Sequence, residues 1–312
     1  MDLTDPRAAF TGAMISVATP ATPELEIDVE AYRSNIRFML DRGVATGNAS
    51  LLVAAAGGEF PMLSVDQRKL LMRVAVEEAG GRAPVVASIQ SNSTREAADL
   101  AAYADRVGVA AGQLSAPYYY PPTPADIVRF FTDVSRSGLP IMIYNNWWNT
   151  LNMNIETVEQ LAEIEGVVAL KWSAPSFFAY IEGYRRLGGR LAIVDNALNH
   201  VTASLMGATG FITHIANFWP EYPLRLGQLM RAKDCAGLSE ALEFKWDWRM
   251  WTDRVGAHTE GEGPFIKAAM ELVGLEVGPP FPPSQPVPEE LRLELRELFD
   301  RYGVPAAAGR PA

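Results

Sequence analysis

The chain has 312 residues, 48% hydrophobic and 21% charged, which is the composition of an ordinary globular protein and excludes collagen-like or wholly disordered classes. Its formal net charge of -10, from 27 basic and 37 acidic residues, argues against nucleic acid or an anionic membrane as partner. Cys235 is the single cysteine, so there is no disulfide framework and no thiolate metal cluster.

The start, Met1 to Phe10, carries Asp2, Asp5 and Arg7 and lacks the apolar stretch of a signal peptide. No run approaches the roughly 18 apolar residues of a membrane span, so a cytoplasmic protein is expected, with residues 1–11 as an N-terminal arm. Short apolar runs then alternate with helical text. The first run, Gly12–Ala18, is followed by helical spacing over Asp28–Arg42, and the second, Leu51–Ala55, by Ser64–Glu78. Next come Pro84–Ile89 with Thr94–Arg106, Gln113–Ala116 with Pro124–Ser137, and Pro140–Tyr144 with Ile155–Glu163. Val167–Lys171, Leu191–Asp195 and Gly210–His214 complete a set of eight strands that read as buried on both faces. Ser64 with Gln67 and Ser93 with Glu96 each have the spacing of a capping box.

Eight strands alternating with helices predict an α/β fold of the (β/α)8 TIM barrel type. A doubly wound open sheet is the rival, but the first strand runs into Ala18-Thr19-Pro20-Ala21-Thr22-Pro23 rather than a glycine-rich phosphate turn. After Asn217 the strand pattern stops, and Glu221–Arg231, Cys235–Trp251, Gly263–Val273 and Glu289–Tyr302 read as helices, with Val277–Pro288 as an extended connector. The expected division is a barrel over residues 12–220, a C-terminal helical unit over 221–303 and a frayed tail over 304–312.

Lysine is scarce: Lys69, Lys171, Lys233, Lys245 and Lys267 are the whole set. Four lie in amphipathic helical text, where lysine is normally a solvated surface group. Lys171 instead ends the apolar run Val167-Val168-Ala169-Leu170. Barrel active sites sit at that end of the strands, and desolvation lowers an amine's pKa and frees it to attack a carbonyl. Tyr144 closes the preceding strand and is placed to carry protons beside such an amine. The loop Ala56-Gly57-Gly58 after the second strand can turn its N–H groups inward as an anion-binding nest. His200, His214 and His258 show no ligand spacing, so no metal is expected.

These residues carry a resemblance. Gly58-Glu59-Phe60-Pro61-Met62-Leu63-Ser64, Ala116-Pro117-Tyr118-Tyr119-Tyr120-Pro121-Pro122, Tyr144-Asn145, Leu170-Lys171, Gly207-Ala208-Thr209-Gly210 with Phe211-Ile212, and Gly263-Pro264 through Lys267 to Leu275 stand in family-like order. The chain resembles the dihydrodipicolinate synthase / N-acetylneuraminate lyase family of class I aldolases, from about Gly12 to Gly303. The resemblance implies a barrel with a C-terminal helical extension and a homotetramer or dimer. It implies a 2-oxo acid such as pyruvate held as an imine on Lys171, with no separate cofactor, and Tyr144 as the proton-transfer phenol. It implies further that Ala56 and Gly57 bind the oxo-acid carboxylate, that Ile212 lines the imine pocket, and that Tyr119 enters a neighbouring subunit's site.

Departures narrow the expectation. The two hydroxyl residues usual in the carboxylate loop are replaced by Ala56 and Gly57. Asn149 stands near the place of an arginine that clamps a second carboxylate in the synthase branch, which argues against dihydrodipicolinate synthesis. An ungapped reading puts Ala197 and Leu198 where sialic acid lyases carry acidic groups. The rim is rich in tryptophan and asparagine instead: Trp147, Trp148, Trp172, Asn145, Asn149, Asn196, Asn199 and Asn217, with Asp195 and His214 ending strands. This points to an apolar or aromatic aldehyde partner. The expected function is a Schiff-base lyase. The alternatives are a hydro-lyase working through the same imine and a non-catalytic barrel that binds a small ligand.

Overall fold

A computed structural model describes residues 5–307. The outermost parts of the expected arm and tail, residues 1–4 and 308–312, lie outside the described residues. Eight parallel strands close into one barrel in sequence order, β8 pairing back onto β1. They are β1 (Gly12–Ser16), β2 (Ala49–Val53), β3 (Val85–Ser88), β4 (Ala111–Ser115), β5 (Ile141–Tyr144), β6 (Val167–Trp172), β7 (Ala192–Asp195) and β8 (Gly210–Thr213). Each expected strand is present, shifted by a few residues at its ends. The helices between them are α1 (Val29–Asp41), α2 (Val65–Ala79), α3 (Thr94–Val107), α4 (Pro124–Ser135), α5 (Ile155–Ala162), α6 (Phe177–Leu187) and α7 (His200–Met206).

Helix starts follow their caps. Asp28 accepts from the Ala31 N–H, and Ser64 with Gln67 forms the full reciprocal box. Ser93 caps α3, but Glu96 turns its carboxylate to 3.8 Å from the Arg68 guanidinium instead of closing the box. The seam where the barrel closes needs glycine: Gly12 and Gly210 are register partners, and a Cβ on Gly12 would lie 1.9 Å from the Asn48 carbonyl oxygen.

Two apolar layers hold the barrel. Inward-facing Met14, Leu52, Val86, Met142, Val194 and Ile212 fill its interior, and Phe10, on the short 3-10 helix Pro6–Phe10, plugs the N-terminal end. The outward faces of the strands pack against the helices in one larger core. Trp172 belongs there: it is buried, its Nε1–H donates to the Tyr180 carbonyl, and it packs on Gly183. It is therefore part of the helix layer and not of the rim.

Helix α8 (Glu221–Ala232) packs on β1 and β8 as the eighth barrel helix. The barrel thus runs to about Ala232 rather than 220, and the appended unit begins later than expected. That unit comprises α9 (Cys235–Ala241), α10 (Glu243–Gly256), α11 (Gly263–Val273) and α12 (Glu289–Tyr302). The expected single helix Cys235–Trp251 is interrupted at Leu242, which keeps right-handed helical angles. An aromatic cluster (Phe218, Phe244, Trp248 and Phe299, with ring centroids 5.0 to 6.5 Å apart) fastens the unit to the barrel's C-terminal rim. Among the described residues, no helix is long and apolar enough to cross a membrane.

Candidate active site

Lys171 and Tyr144 are register partners on neighbouring strands, so both stand at the C-terminal end of the barrel. The Lys171 ammonium lies 3.7 Å from the centroid of the Tyr144 ring. Its Nζ donates to Gln113 Oε1 at 3.2 Å, and it makes no ion pair among the described residues. Burial lowers its pKa to about 8, against the opposing pull of the Glu262 carboxylate. Burial and the same carboxylate push the Tyr144 phenol up, so it is protonated at neutral pH.

Beneath the lysine is a buried amide and hydroxyl network. Gln113 donates to Gln90 at 2.8 Å, Gln90 donates to Ser115 at 2.8 Å, and Ser88 donates to Gln90 at 3.1 Å. These groups hold the Gln113 oxygen toward Lys171 without adding charge. Gln113 and Ser115, two polar residues at alternate positions of a buried strand, are the sequence signal of this network.

The carboxylate loop lies across the mouth from these residues. Ser16, at the end of β1, accepts the Gly57 N–H at 3.1 Å, and Gly58 N–H bonds the Ala55 carbonyl. Among the described residues, the Ala56 N–H has no hydrogen-bond partner. The expected nest is thus partly occupied by the protein's own groups, with the Ala56 N–H and the Ser16 O–H still free to donate. A Cβ on Gly57 would lie 2.7 Å from Ser16 Oγ and 2.9 Å from Ile266. The hydroxyl missing from the loop has its volume filled by one arriving from β1. Ser16 was not singled out from sequence.

Glu262 was also missed, although it directly precedes the Gly263-Pro264 segment. Its carboxylate accepts from His214 Nε2–H at 3.0 Å. Burial raises its pKa, but His214 and Lys171 outweigh that and keep the carboxyl below its ordinary value. Glu262 stands between two cavities. One, about 260 Å³, is lined by Ala56, Phe60, Gln90, Tyr144 and Asn149. The other, about 490 Å³, is lined by Trp147, Trp148, Ile212, His214 and Trp248. Asn146 Oδ1 beside the first is buried without a hydrogen-bond partner, and the buried Asn196 amide beside the second faces the Tyr144 hydroxyl. Left-handed backbone at Ala54, Glu59 and Leu198 is concentrated on this same rim.

Other expected residues are engaged elsewhere. Asn145 is fully buried, donating to the Ser173 carbonyl and to Asn152 and accepting from Met153 N–H. Asn217 ties β1 to β8 through Ala18 and Ser16. Asp195 does not reach Lys171: its carboxylate accepts from Tyr180 O–H, Ala197 N–H and His200 Nδ1. Asn145 and Asp195 therefore hold the rim together, and Asp195 also lines the larger cavity. Tyr119 is 76% exposed and packs edge-on against Tyr120. The lysine expectation also needs correction. Lys245 and Lys267 are 7% and 2% exposed, so helical context did not make them surface groups. Among the described residues, no cluster of three or more His, Cys, Asp or Glu is placed to hold a metal.

The match to known proteins covers nearly the whole chain. Residues 9–301 match the model of the dihydrodipicolinate synthetase family. The 4-hydroxy-tetrahydrodipicolinate synthase of Nitrosospira multiformis is 34% identical over 298 residues, covering 94% of this chain and 92% of that one. The crystal structure of dihydrodipicolinate synthase from Aquifex aeolicus superposes with a TM-score of 0.85 at 28% identity, covering 95% and 99% of the two chains. YagE from E. coli K12, solved in complex with pyruvate, has the same fold at a TM-score of 0.85 and 24% identity over 95% and 99%.

Proposed function

The chain belongs to the dihydrodipicolinate synthetase family, and on that premise we propose that it is a Schiff-base lyase acting on a 2-oxo acid such as pyruvate and an aldehyde. One observation carries the reading: a buried lysine, its pKa lowered to about 8, stacked on a tyrosine ring at the catalytic end of a closed barrel. The neutral amine attacks the ketone carbon, and loss of water leaves a protonated imine. That imine draws electrons from the neighbouring carbon, so loss of a proton there gives an enamine. The enamine carbon then bonds to the aldehyde carbon, whose oxygen takes a proton, and water releases the product and restores the amine. Cleavage is the reverse.

The 2-oxo acid is placed between Lys171 and the Ala56 side of the smaller cavity, its carboxylate toward the Ala56 N–H and the Ser16 O–H behind Gly57. The aldehyde fits the larger, tryptophan-walled cavity. Tyr144 and the Glu262–His214 pair are the groups at hand to move the hydroxyl proton. Trp147, Trp148 and Trp248 on the wall of the larger cavity support an aromatic aldehyde, and Asn149 leaves the smaller cavity without a guanidinium. The hydro-lyase reading draws on the same Glu262–His214 pair, which can protonate a departing β-hydroxyl. Trapping with borohydride in the presence of pyruvate, followed by peptide mass measurement, tests the imine: an adduct on Lys171 is expected. An unlabelled Lys171, or full turnover in Lys171→Ala, would refute the proposal. A coupled lactate dehydrogenase assay for free pyruvate separates lyase from hydro-lyase.

A further inference from the structure

Lys245 is the buried cation that this mechanism leaves unused. It reaches from α10 to the wall of the larger cavity. Its neighbours are unusual for a buried ammonium. It forms no ion pair among the described residues, and its hydrogen-bond partner is His200 Nε2 at 2.5 Å. His200 Nδ1 faces Asp195 Oδ2 at 2.6 Å, and burial together with Lys245 lowers the imidazole's pKa. A neutral ring that gives its Nδ1 proton to Asp195 can only accept at Nε2, so Lys245 is the donor. One N–H is used and two remain. Burial lowers the amine to about 8, with Asp195 opposing across the imidazole, so the protonated form predominates at neutral pH.

The surroundings extend the site. Lys245, Trp248, Arg249 and Thr252 recur three and four residues apart on one face of α10, and all four line the same cavity. Arg249 is exposed at the mouth and holds Asp253 at 2.7 Å. Asn196 Nδ2, buried beside the Tyr144 hydroxyl, adds a neutral donor. Trp147 and Trp148 form an apolar wall. Donors thus gather at this wall of an aromatic-lined cavity, whose three lining carboxylates are each engaged (Asp195 by Tyr180 and His200, Asp253 by Arg249, Glu262 by His214), while Asn149 leaves the smaller cavity without a cationic clamp.

We propose that this wall is an anion subsite, in which Lys245 and Asn196 bind a single carboxylate carried by an aromatic ring on the aldehyde half of the substrate. The proposal rests on the lyase reading for the identity of that half, but not for the anion site itself. A carboxylate there completes the hydrogen bonds of a desolvated ammonium, which makes it selective against a neutral analogue.

The test is binding, read by quenching of tryptophan fluorescence, with saturating pyruvate present to occupy the other carboxylate site. The probes are benzoate and the neutral, equally shaped benzamide. Wild-type protein should bind benzoate at least tenfold more tightly than benzamide. Lys245→Met should abolish that difference, and Lys245→Arg, which keeps the cation, should retain most of it. Equal binding of the two probes by wild type would overturn the subsite, as would unchanged benzoate affinity in Lys245→Met shown by circular dichroism to be folded. Because no imine forms with either probe, the result is independent of borohydride trapping on Lys171. Failure of trapping with a Lys245-dependent benzoate preference would sink the lyase reading alone.

Discussion

At the scale of single residues, the site combines the low-pKa amine of Lys171 with hydroxyls from β1 and β5 and a carboxyl from the start of α11. An amine of pKa about 8 is neutral in about one molecule in ten at pH 7, against about one in three thousand at its ordinary value. The rate of imine trapping on Lys171 should therefore rise with pH through about 8 and level off above it. Glu262 stabilises the ammonium, so Glu262→Gln should move the midpoint of that rise to lower pH while reducing turnover by about a hundredfold. An unmoved midpoint would mean that the carboxylate is not electrostatically coupled to the lysine. Ser16→Ala removes the hydroxyl beside Gly57 and should raise the KM for pyruvate about tenfold, the worth of a hydrogen bond to a charged group. Steady-state kinetics with varied pyruvate reads this directly.

At the scale of elements, the carboxylate loop owes its position to the C-terminal unit. Glu59 follows the loop in left-handed backbone and pairs with Lys267 of α11 at 2.7 Å, both side chains 2% exposed. Glu59 also accepts the Phe281 N–H, and Lys267 donates to the Pro279 carbonyl, so the connector joins the same cluster. Burial raises the Glu59 pKa and lowers that of Lys267, each opposed by its partner. Removing one partner leaves an uncompensated buried charge, so Glu59→Gln or Lys267→Met should cost about 3–5 kcal/mol in denaturant unfolding. The double variant should be less destabilised than the sum of the two, since it buries no lone charge. Strict additivity would show that the two groups act separately. Both cavities depend on this docking, because α10 and α11 supply Trp248, Lys245 and Glu262 to their walls.

At the scale of the whole molecule, Tyr118, Tyr119 and Tyr120 are exposed at the rim, Tyr118 also lining the smaller cavity. We propose assembly of the chain as a dimer or tetramer in which Tyr119 meets a neighbouring copy's site. Sedimentation should then give a mass above the 34.1 kDa of one chain, and Tyr119→Arg should lower both that mass and turnover. A monomer that turns over at an unchanged rate in Tyr119→Arg would dismiss the idea. The sequence by itself determined the barrel and its strand order, because a strand covered on both faces must be a continuous apolar run, a strictly local pattern. For the same reason Lys171 and Tyr144 were legible: each interrupts or closes such a run. The resemblance then supplied roles for the loop and the rim. Only the tertiary structure decided which of the remaining lysines are buried, since a helix shows its apolar stripe but not what covers its polar face. It alone showed that the loop's missing hydroxyl is answered by Ser16, that Glu262 divides two cavities, and that Lys245 meets His200. These partners lie 41, 48 and 45 residues apart (Ser16 with Gly57, His214 with Glu262, His200 with Lys245), and such contacts are made by closure of the barrel and docking of the C-terminal helices, which leave no periodic trace in the chain.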